Sequence, residues 1–441
     1  MRYFLDPFGC VKNQVDAENM MAFLKSAGWE SASAAEEADL IIVNSCGFIE
    51  AAKRESINAV LEWRRIYPGK KILLAGCLAQ RYAKELAESL PEADAFFGVE
   101  DISQIVKAAG CLAGTNDPHS FIADTASRPL LSLPGSAFVK ISEGCNNRCS
   151  FCAIPLIRGA LRSRPVSDIL PECEGLLGRG IKELCIIGQD IGSYGTGQDA
   201  GVSKLPELLD AISSLKGNFW VRLLYIHPDH FPLPILEIME RDKRFIPYFD
   251  IPFQHASQKI LSAMNRRGTA EKYLALLETI RRRFPAAVIR STFLLGFPGE
   301  TEEDFAALLD FQDRARLDWL GCFAYSREED TPAFSMKARV PKKNALRRKQ
   351  IVEERQIPIT EKNMERFAGQ TLDVLIEECF EGGGDALPAG KGETLRLGRL
   401  YCHAPEVDGA AVITGGGTAK PGDIVPCKVT ARRGFDLEVQ L

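Results

Sequence analysis

No apolar run in these 441 residues approaches the ~18 that a membrane-spanning helix needs. The opening Met1-Arg2-Tyr3-Phe4-Leu5-Asp6 has neither a charged leader segment nor a long apolar one, so no secretory signal is expected. Basic residues are not in excess: 54 Lys and Arg stand against 59 Asp and Glu, a formal net charge of −5. That removes the whole-chain electrostatic case for nucleic acid and leaves only local basic patches to carry one. What the chain does have is a hydrophobic fraction of 46%, enough for sizeable cores, and a length that calls for two or three domains. It reads as a soluble, cytoplasmic protein. In that reducing compartment its 13 cysteines would persist as thiols or metal ligands and not as disulfides.

Three of the cysteines stand in Gly144-Cys145-Asn146-Asn147-Arg148-Cys149-Ser150-Phe151-Cys152, just after the apolar run Ala137 to Ile141. Their spacing lets three thiolates take one metal cluster. A fourth is lacking, and that matters: closed structural zinc sites and electron-transfer clusters usually have four protein ligands. Three leave one iron of a [4Fe–4S] cube open to a reactant. The alternative is a structural zinc loop completed by a distant cysteine or histidine. This C-x3-C-x2-C loop, with an aromatic residue before its last cysteine, resembles the radical S-adenosylmethionine superfamily. The resemblance implies that the open iron chelates the methionine part of S-adenosylmethionine, that the reduced cluster cleaves it to a 5′-deoxyadenosyl radical, and that Phe151 belongs to the cofactor side.

From residue 1 to about 110, short apolar runs alternate with amphipathic stretches, the rhythm of a small doubly wound α/β domain. Strands are expected at Tyr3 to Phe8, Leu40 to Asn44, Lys71 to Ala75 and Ala93 to Gly98, with helices at about Gln14 to Ala27, Ile49 to Ile66, Ala79 to Ser89 and Ile102 to Ala109. Cys10, Cys46 and Cys77 each fall just beyond the carboxyl end of a different strand. In an open parallel sheet those ends share one rim, so the three could meet there as a second three-ligand cluster site. Glycines beside them would let backbone pass close to a bulky inorganic group. Ordinary buried thiols are the plainer reading. The stretch Asn44-Ser45-Cys46-Gly47-Phe48-Ile49-Glu50-Ala51-Ala52-Lys53-Arg54-Glu55-Ser56-Ile57 resembles the N-terminal domain of the methylthiotransferase family. Residues 113–136 lose the alternation, as in Gly114-Thr115-Asn116-Asp117-Pro118, and read as a flexible linker, with Cys111 incidental.

Between 137 and 369 the units lengthen. Strands are expected at Ala137 to Ser142, Glu183 to Gly188, Trp220 to Ile226, Tyr248 to Phe253, Val288 to Gly296 and Leu320 to Tyr325, with helices at Leu205 to Leu215, Leu233 to Arg241, Ala270 to Phe284 and Glu302 to Ala315. Six βα repeats suit a partial (β/α)6 barrel, and the radical superfamily resembles this fold. Polar groups gather at strand ends: Gln189-Asp190, His227-Pro228-Asp229-His230, Gln254-His255 and Gly296-Phe297-Pro298-Gly299-Glu300-Thr301. Gln189 and Gly296 are candidates for the cofactor, Asp190 and His255 for the substrate. Each has a bland alternative as a turn or cap residue, Thr301 as the cap of the helix that Glu302 opens. Histidine is not expected to ligate metal. Cys173, Cys185 and Cys322 read as core, and the run Lys342-Lys343 to Arg347-Arg348-Lys349 as a solvated face of a long helix to about Arg366.

After Gly369 five short strands, Thr371 to Ile376, Arg399 to Tyr401, Ala411 to Ile413, Ile424 to Val429 and Asp436 to Val439, read as a small β-barrel. Its place in the chain and its Pro421-Gly422-Asp423 turn resemble the TRAM domain that closes the methylthiotransferases. From 371 to 441 there are eleven acidic and seven basic residues, a balance that repels RNA and draws a basic protein. The expected division is thus 1–112, 113–136, 137–369 and 370–441.

The family resemblance covers nearly the whole chain and has two branches, one acting on a tRNA adenosine beside the anticodon, the other on the β-carbon of an aspartate in small-subunit ribosomal protein twelve. Arg222-Leu223-Leu224-Tyr225-Ile226-His227-Pro228, Asp250-Ile251-Pro252-Phe253-Gln254-His255-Ala256-Ser257, Ala324-Tyr325-Ser326-Arg327-Glu328-Glu329-Asp330-Thr331 and Ala404-Pro405-Glu406-Val407-Asp408-Gly409 resemble the second branch. Departures include Phe253 and Cys402-His403. The resemblance implies two [4Fe–4S] clusters, on Cys145, Cys149 and Cys152 and on Cys10, Cys46 and Cys77, two uses of S-adenosylmethionine, an external electron donor and a sulfur donor. The clusters do the bond-making chemistry, with no catalytic side chain assigned beyond their ligands. The contrasting reading is a non-catalytic iron–sulfur sensor that binds ribosome or RNA through its barrel.

Overall fold

A computed structural model describes residues 1–114, 123, 125–197, 201–381, 394–415 and 417–441. They form two compact units. The first takes Met1–Leu131, Phe138–Gly175 and Ser326–Ser335, the second Ser132–Ala137, Leu176–Tyr325 and Met336–Leu441.

The first unit opens with β1 (Arg2–Pro7), α1 (Val11–Ser26), β2 (Glu30–Ser31), β3 (Leu40–Ser45), α2 (Glu50–Ile66), β4 (Lys71–Gly76), α3 (Cys77–Ser89), β5 (Ala95–Phe97) and α4 (Ile105–Ala113). The strands pair in parallel in the order β2-β1-β3-β4-β5. This is a doubly wound sheet whose order reverses between β1 and β3. The run Leu40-Ile41-Ile42-Val43 explains the layering. Alternate side chains point to opposite faces, so Leu40 and Ile42 pack with Met20, Leu24 and Ile105, while Ile41 and Val43 pack with Val60, Leu78 and Leu86. Full burial of each such side chain is worth about 1.5–3 kcal/mol. The edge pair β2 went unpredicted because two exposed residues carry no apolar signal.

The expected flexible linker lies partly outside the described residues, at 115–122 and 124. Its described end is anchored. Arg128 is fully buried, donating to Glu18 (2.9 Å), to Glu172 (2.6 Å) and to the Phe138 carbonyl (2.7 Å), and the Leu131 amide donates to Glu18 (3.0 Å). A buried guanidinium paired twice is costly to pull away, so this end of the segment is fixed to the first unit.

Next come β6 (Ser136–Lys140), β7 (Ser142–Glu143), α5 (Ile154–Arg158), β8 (Arg162–Ser163), α6 (Val166–Gly178), β9 (Glu183–Ile187), α7 (Leu205–Ser213), β10 (Trp220–Leu223), α8 (Ile235–Arg241), β11 (Phe245–Asp250), α9 (Gln258–Ala263), α10 (Ala270–Arg283), β12 (Val288–Leu295), α11 (Glu302–Ala315), β13 (Trp319–Ala324) and α12 (Lys342–Met364). Six strands form one sheet in the order β13-β12-β11-β10-β9-β6, with β9 to β13 pairing in parallel. It is a partial version of the eight-stranded barrel. Two expected strands are placed differently. β10 stops at Leu223, and two residues later Tyr225 takes a positive φ of 68°. β11 starts and ends three residues earlier than expected, just short of Pro252, which has no amide to give a ladder. The α6 helix was missed because Pro171 interrupts its pattern.

The chain ends with β14 (Thr371–Glu381), β15 (Thr394–Leu400), β16 (Ala411–Thr414), β17 (Ile424–Arg433) and β18 (Asp436–Gln440), closed in the order β14-β15-β16-β18-β17. Among the described residues no helix is long and apolar enough to cross a membrane.

Candidate functional site

The rim at the carboxyl ends of β1, β3 and β4 carries Cys10, Cys46 and Cys77, as expected from their spacing. Cys10 is the N-cap of α1 and Cys77 the first residue of α3, so both sit where a helix presents free amides and partial positive charge. Glycines let the three loops crowd together. Gly76 has φ +98°, and a Cβ there would lie 2.6 Å from the Ser45 carbonyl; at Gly47 one would lie 2.7 Å from the Cys77 carbonyl. Buried Asn13 ties the loops, its Nδ2 donating to the carbonyls of Phe8 (2.6 Å) and Ser45 (3.2 Å), while the Cys77 thiol donates to its Oδ1 (3.6 Å).

Burial pushes the Cys77 thiol up to about 12 and raises Cys46. Exclusion of water acts the same way on Cys10, but Lys12, Arg158 and backbone amides outweigh it and lower that thiol. Burial of these two thiols opposes their bare thiolate forms, a cost that soft thiolate ligation of a metal group would offset.

The second cysteine set lies in the same unit. The turn at Gly144 (φ +73°) admits no side chain, since a Cβ would lie 2.2 Å from the Ala160 carbonyl. The Cys145 amide donates to the Gly159 carbonyl (3.2 Å), the Cys152 amide to the Cys149 carbonyl (3.0 Å), and Asn146 Oδ1 accepts from the Leu161 amide (3.0 Å). Cys145, Cys149, Phe151 and Cys152 are all partly exposed on this loop. Among the described residues no three His, Cys, Asp or Glu side chains converge closely enough for one metal ion. A four-iron cube makes a different demand, because each thiolate takes its own iron and the sulfurs stand apart. The donor set and glycine clearances suit such a group at both places, and at Cys10 and Cys77 the helix starts do so as well.

Between the two cysteine sets the first unit holds a buried charge network that the sequence did not disclose. Arg158, the last residue of α5, donates to Cys77 Sγ (3.1 Å) and Glu143 (2.9 Å) and pairs with Asp16 (2.8 Å). Lys140 donates to both acids, to Glu143 at 2.6 Å. Desolvation would raise Glu143, but Lys140 and Arg158 hold it well below the usual carboxylate range. Only the adjacency of Glu143 and Arg158 to the Cys145–Cys152 loop could have drawn attention to them. In the same unit Glu328 pairs with Lys53 (3.0 Å) and Arg81 (2.9 Å), so the Ser326 to Thr331 stretch serves to pack the first unit.

The second unit holds the remaining expected residues. Gln189 and Asp190 follow β9. The Asp190 carboxylate accepts from the Gly192 amide (3.0 Å), Ser193 Oγ (2.6 Å) and the His227 amide (3.1 Å), so it binds its own turn to the one after β10. His255 is fully buried; its Nδ1 accepts from the Ser257 amide (3.0 Å), and its Nε2 lies 3.9 Å from Glu300 and has no hydrogen-bond partner among the described residues. Burial pushes its pKa down to about 3, so the ring is neutral. Gly296 (φ +77°) gives its amide to Glu300 (2.6 Å), and a Cβ there would lie 2.3 Å from that of Ala345. Thr301 and Asp304 form a reciprocal capping box on α11.

One sequence reading needs correction here. Arg348, expected on a solvated face, turns inward to Glu300 (2.9 Å) and Glu302 (2.8 Å), because the buried Glu300 that holds the Gly296 turn needs a cation. The Cys402–Asp408 stretch, which holds the departure Cys402-His403 and most of the branch-like Ala404 to Gly409, is internal packing. The Cys402 carbonyl accepts from Trp319 Nε1 (2.8 Å), and Asp408 accepts from Tyr248 (2.5 Å) and Arg290 (3.3 Å). Cys173, Cys185 and Cys322 are buried, as expected.

Three family descriptions match consecutive parts of the chain: Uncharacterized protein family UPF0004 over residues 2–98, the Radical SAM superfamily over 139–311 and the TRAM domain over 368–441. Curated relatives called ribosomal protein uS12 methylthiotransferase RimO span the full length. That of Treponema denticola is 47% identical over 98% of this chain and 99% of its own, and that of Carboxydothermus hydrogenoformans 40% identical over 99% of each. Among solved structures, the radical S-adenosylmethionine methyltransferase TsrM from Kitasatospora setae, with tryptophan and a cofactor analogue bound, superposes with a TM-score of 0.58. It covers 87% of this chain and 79% of its own at 14% identity, which is a likeness of fold.

Proposed function

This chain belongs to the RimO family of methylthiotransferases and is a radical SAM enzyme, and from that premise we propose that it methylthiolates the β-carbon of an aspartate in small-subunit ribosomal protein uS12. Cys145, Cys149 and Cys152 hold one [4Fe–4S] cluster, with Phe151 beside them on the S-adenosylmethionine side; in the second unit Gln189 and Gly296 are the candidates for that cofactor. Cys10, Cys46 and Cys77 hold a second. Once bound, these groups supply reductive cleavage of S-adenosylmethionine, hydrogen abstraction and the methylthio group, chemistry beyond any side chain.

The observation that carries the reading is the presence, in one compact unit, of two three-cysteine sets whose loops are cleared by glycine and joined by one buried network. The chain's own residues position and shield. Asn13 fixes the spacing of the three rim loops, the Gly159 carbonyl pins the start of the Cys145 loop, and Glu300 gathers the Gly296 and Phe297 amides (2.6 and 3.1 Å). Asp190 and His255 serve the substrate side through the turns they hold. The electron donor is an external partner, and the inserted sulfur comes either from the second cluster or from a sulfide bound to it.

The test is mass spectrometry after anaerobic turnover, with a peptide from the uS12 aspartate loop and a tRNA anticodon stem-loop in separate tubes. A methylthio mass gain on the peptide alone is expected. A gain on the tRNA alone would assign the chain to the other branch, and no 5′-deoxyadenosine in either tube would leave the sensor reading.

A further inference from the structure

We propose that Arg158 is a positioning residue that holds the Cys77 thiolate and sets the reduction potential of the group on Cys10, Cys46 and Cys77; this rests on the reading of those cysteines as ligands. The guanidinium is buried and planar, and it divides its donors between Cys77 Sγ at 3.1 Å and the carboxylates of Asp16 and Glu143 at 2.8 and 2.9 Å. Its place in the chain is what makes the contact telling. Arg158 ends the short helix that follows Cys152, and Glu143 stands two residues before Cys145. One side chain therefore links the second loop to a ligand of the first.

A salt bridge alone would not require this arrangement. Asp16 and Glu143 already share Lys140, so the two acids are not left without a cation. The donor aimed at Cys77 is a further interaction. Apart from Arg158 and the Asn13 amide oxygen, Val99, Ala153, Ile157 and Phe48 pack around Cys77, so Arg158 is the cation donor that faces its sulfur. In such surroundings a thiolate is strongly disfavoured unless a donor faces it. A cation and a hydrogen bond on a ligand sulfur favour the more negative, reduced state of an iron–sulfur group, which raises its potential. Lysine in this place could not reach all three acceptors, because its ammonium lacks the planar fork.

The test uses the full chain with Cys145→Ala, Cys149→Ala and Cys152→Ala, which leaves one ligand set, reconstituted anaerobically with iron and sulfide. Iron content and the midpoint potential are measured for this parent and with Arg158→Gln or Arg158→Lys added. With Arg158→Gln the oxidised-to-reduced ratio at a fixed potential is expected to rise tenfold or more, ~59 mV for a one-electron couple. Arg158→Lys is expected to fall between. An unchanged midpoint at full iron content, even with a lowered melting temperature, is the result of a merely structural ion pair and overturns the proposal. If Arg158→Gln does not hold iron, Arg158→Lys decides by the same criterion. A parent that binds no iron overturns the ligand assignment itself, which is a different failure.

Discussion

Replacing Arg399 by methionine tests how the C-terminal barrel is held within the second unit. Arg399 is buried and donates to Glu183 (2.6 Å), Glu377 (2.6 Å), Ser136 Oγ (2.8 Å) and the His403 carbonyl (3.1 Å). Glu183 is also paired with the fully buried Arg222 (2.7 Å). Burial would raise Glu183, but Arg399 and Arg222 together bring it down to about 2. Against the ordinary glutamate value that depression is worth about 3 kcal/mol. It agrees with the ~3–5 kcal/mol typical of removing one partner from a buried ion pair. At about 2–4 °C per kcal/mol for a unit of this size, the melting transition should fall by roughly 6–20 °C at neutral pH.

The sign with pH follows from the same groups. A carboxylate whose folded pKa is depressed contributes stability above its unfolded value of about 4.3, and that stability disappears as pH falls toward 2. Glu377 behaves oppositely: burial raises it even beside Arg399, so without that partner it is a growing penalty as pH rises. The gap between native and variant should therefore be widest near neutrality and narrow as pH falls from about 4 toward 2. Thermal melting followed by near-ultraviolet circular dichroism measures both. A drop below about 2 °C, or a gap that does not change with pH, would refute the reasoning.

Cys145→Ala, Cys149→Ala and Cys152→Ala together should abolish 5′-deoxyadenosine release and halve the reconstituted iron; undiminished release would rule out their assignment. Cys10→Ala, Cys46→Ala and Cys77→Ala together should keep some cofactor cleavage yet stop methylthio transfer, and full transfer to the peptide would count against a sulfur-carrying role. Gly76→Ala forces a residue with a Cβ into φ +98° and against the Ser45 carbonyl, so a loss of about 1–3 kcal/mol is expected, read as a lower melting temperature and poorer iron uptake. Asn13→Ala leaves the loop carbonyls of Phe8 and Ser45 without their donor and should cost about 1–3 kcal/mol; an unchanged melt would mean that water replaces the amide.

Much of the site was legible because local chemistry is written locally. The Cys145–Cys152 spacing sits within one loop, and Cys10, Cys46 and Cys77 could be aligned because each follows a short run that reads as a parallel strand, buried in two of the three cases. Thr301 announced its cap through the acidic residues after it. Arg348, Arg158 and Asp408 could not be read in this way. Each is a charged residue whose role depends on a partner 48, 81 or 160 positions away, at Glu300, Cys77 or Tyr248. Sequence statistics place such residues at the surface, because an unpaired charge inside is prohibitive and the partner is invisible until the chain is folded.

By itself, then, the sequence indicated the strands and helices with strong periodicity and the placing of two sets of three cysteines on loops. The tertiary structure decided which buried cations answer which buried anions. It turned Arg348 from expected surface into packing, paired Asp408 with Tyr248, anchored the described end of the expected linker through Arg128, and set Arg158 against Cys77. The physical reason is one of range. Side-chain periodicity and turn chemistry act over a few residues, whereas a charge removed from water can be satisfied only by a group that the fold brings to within about 3 Å of it.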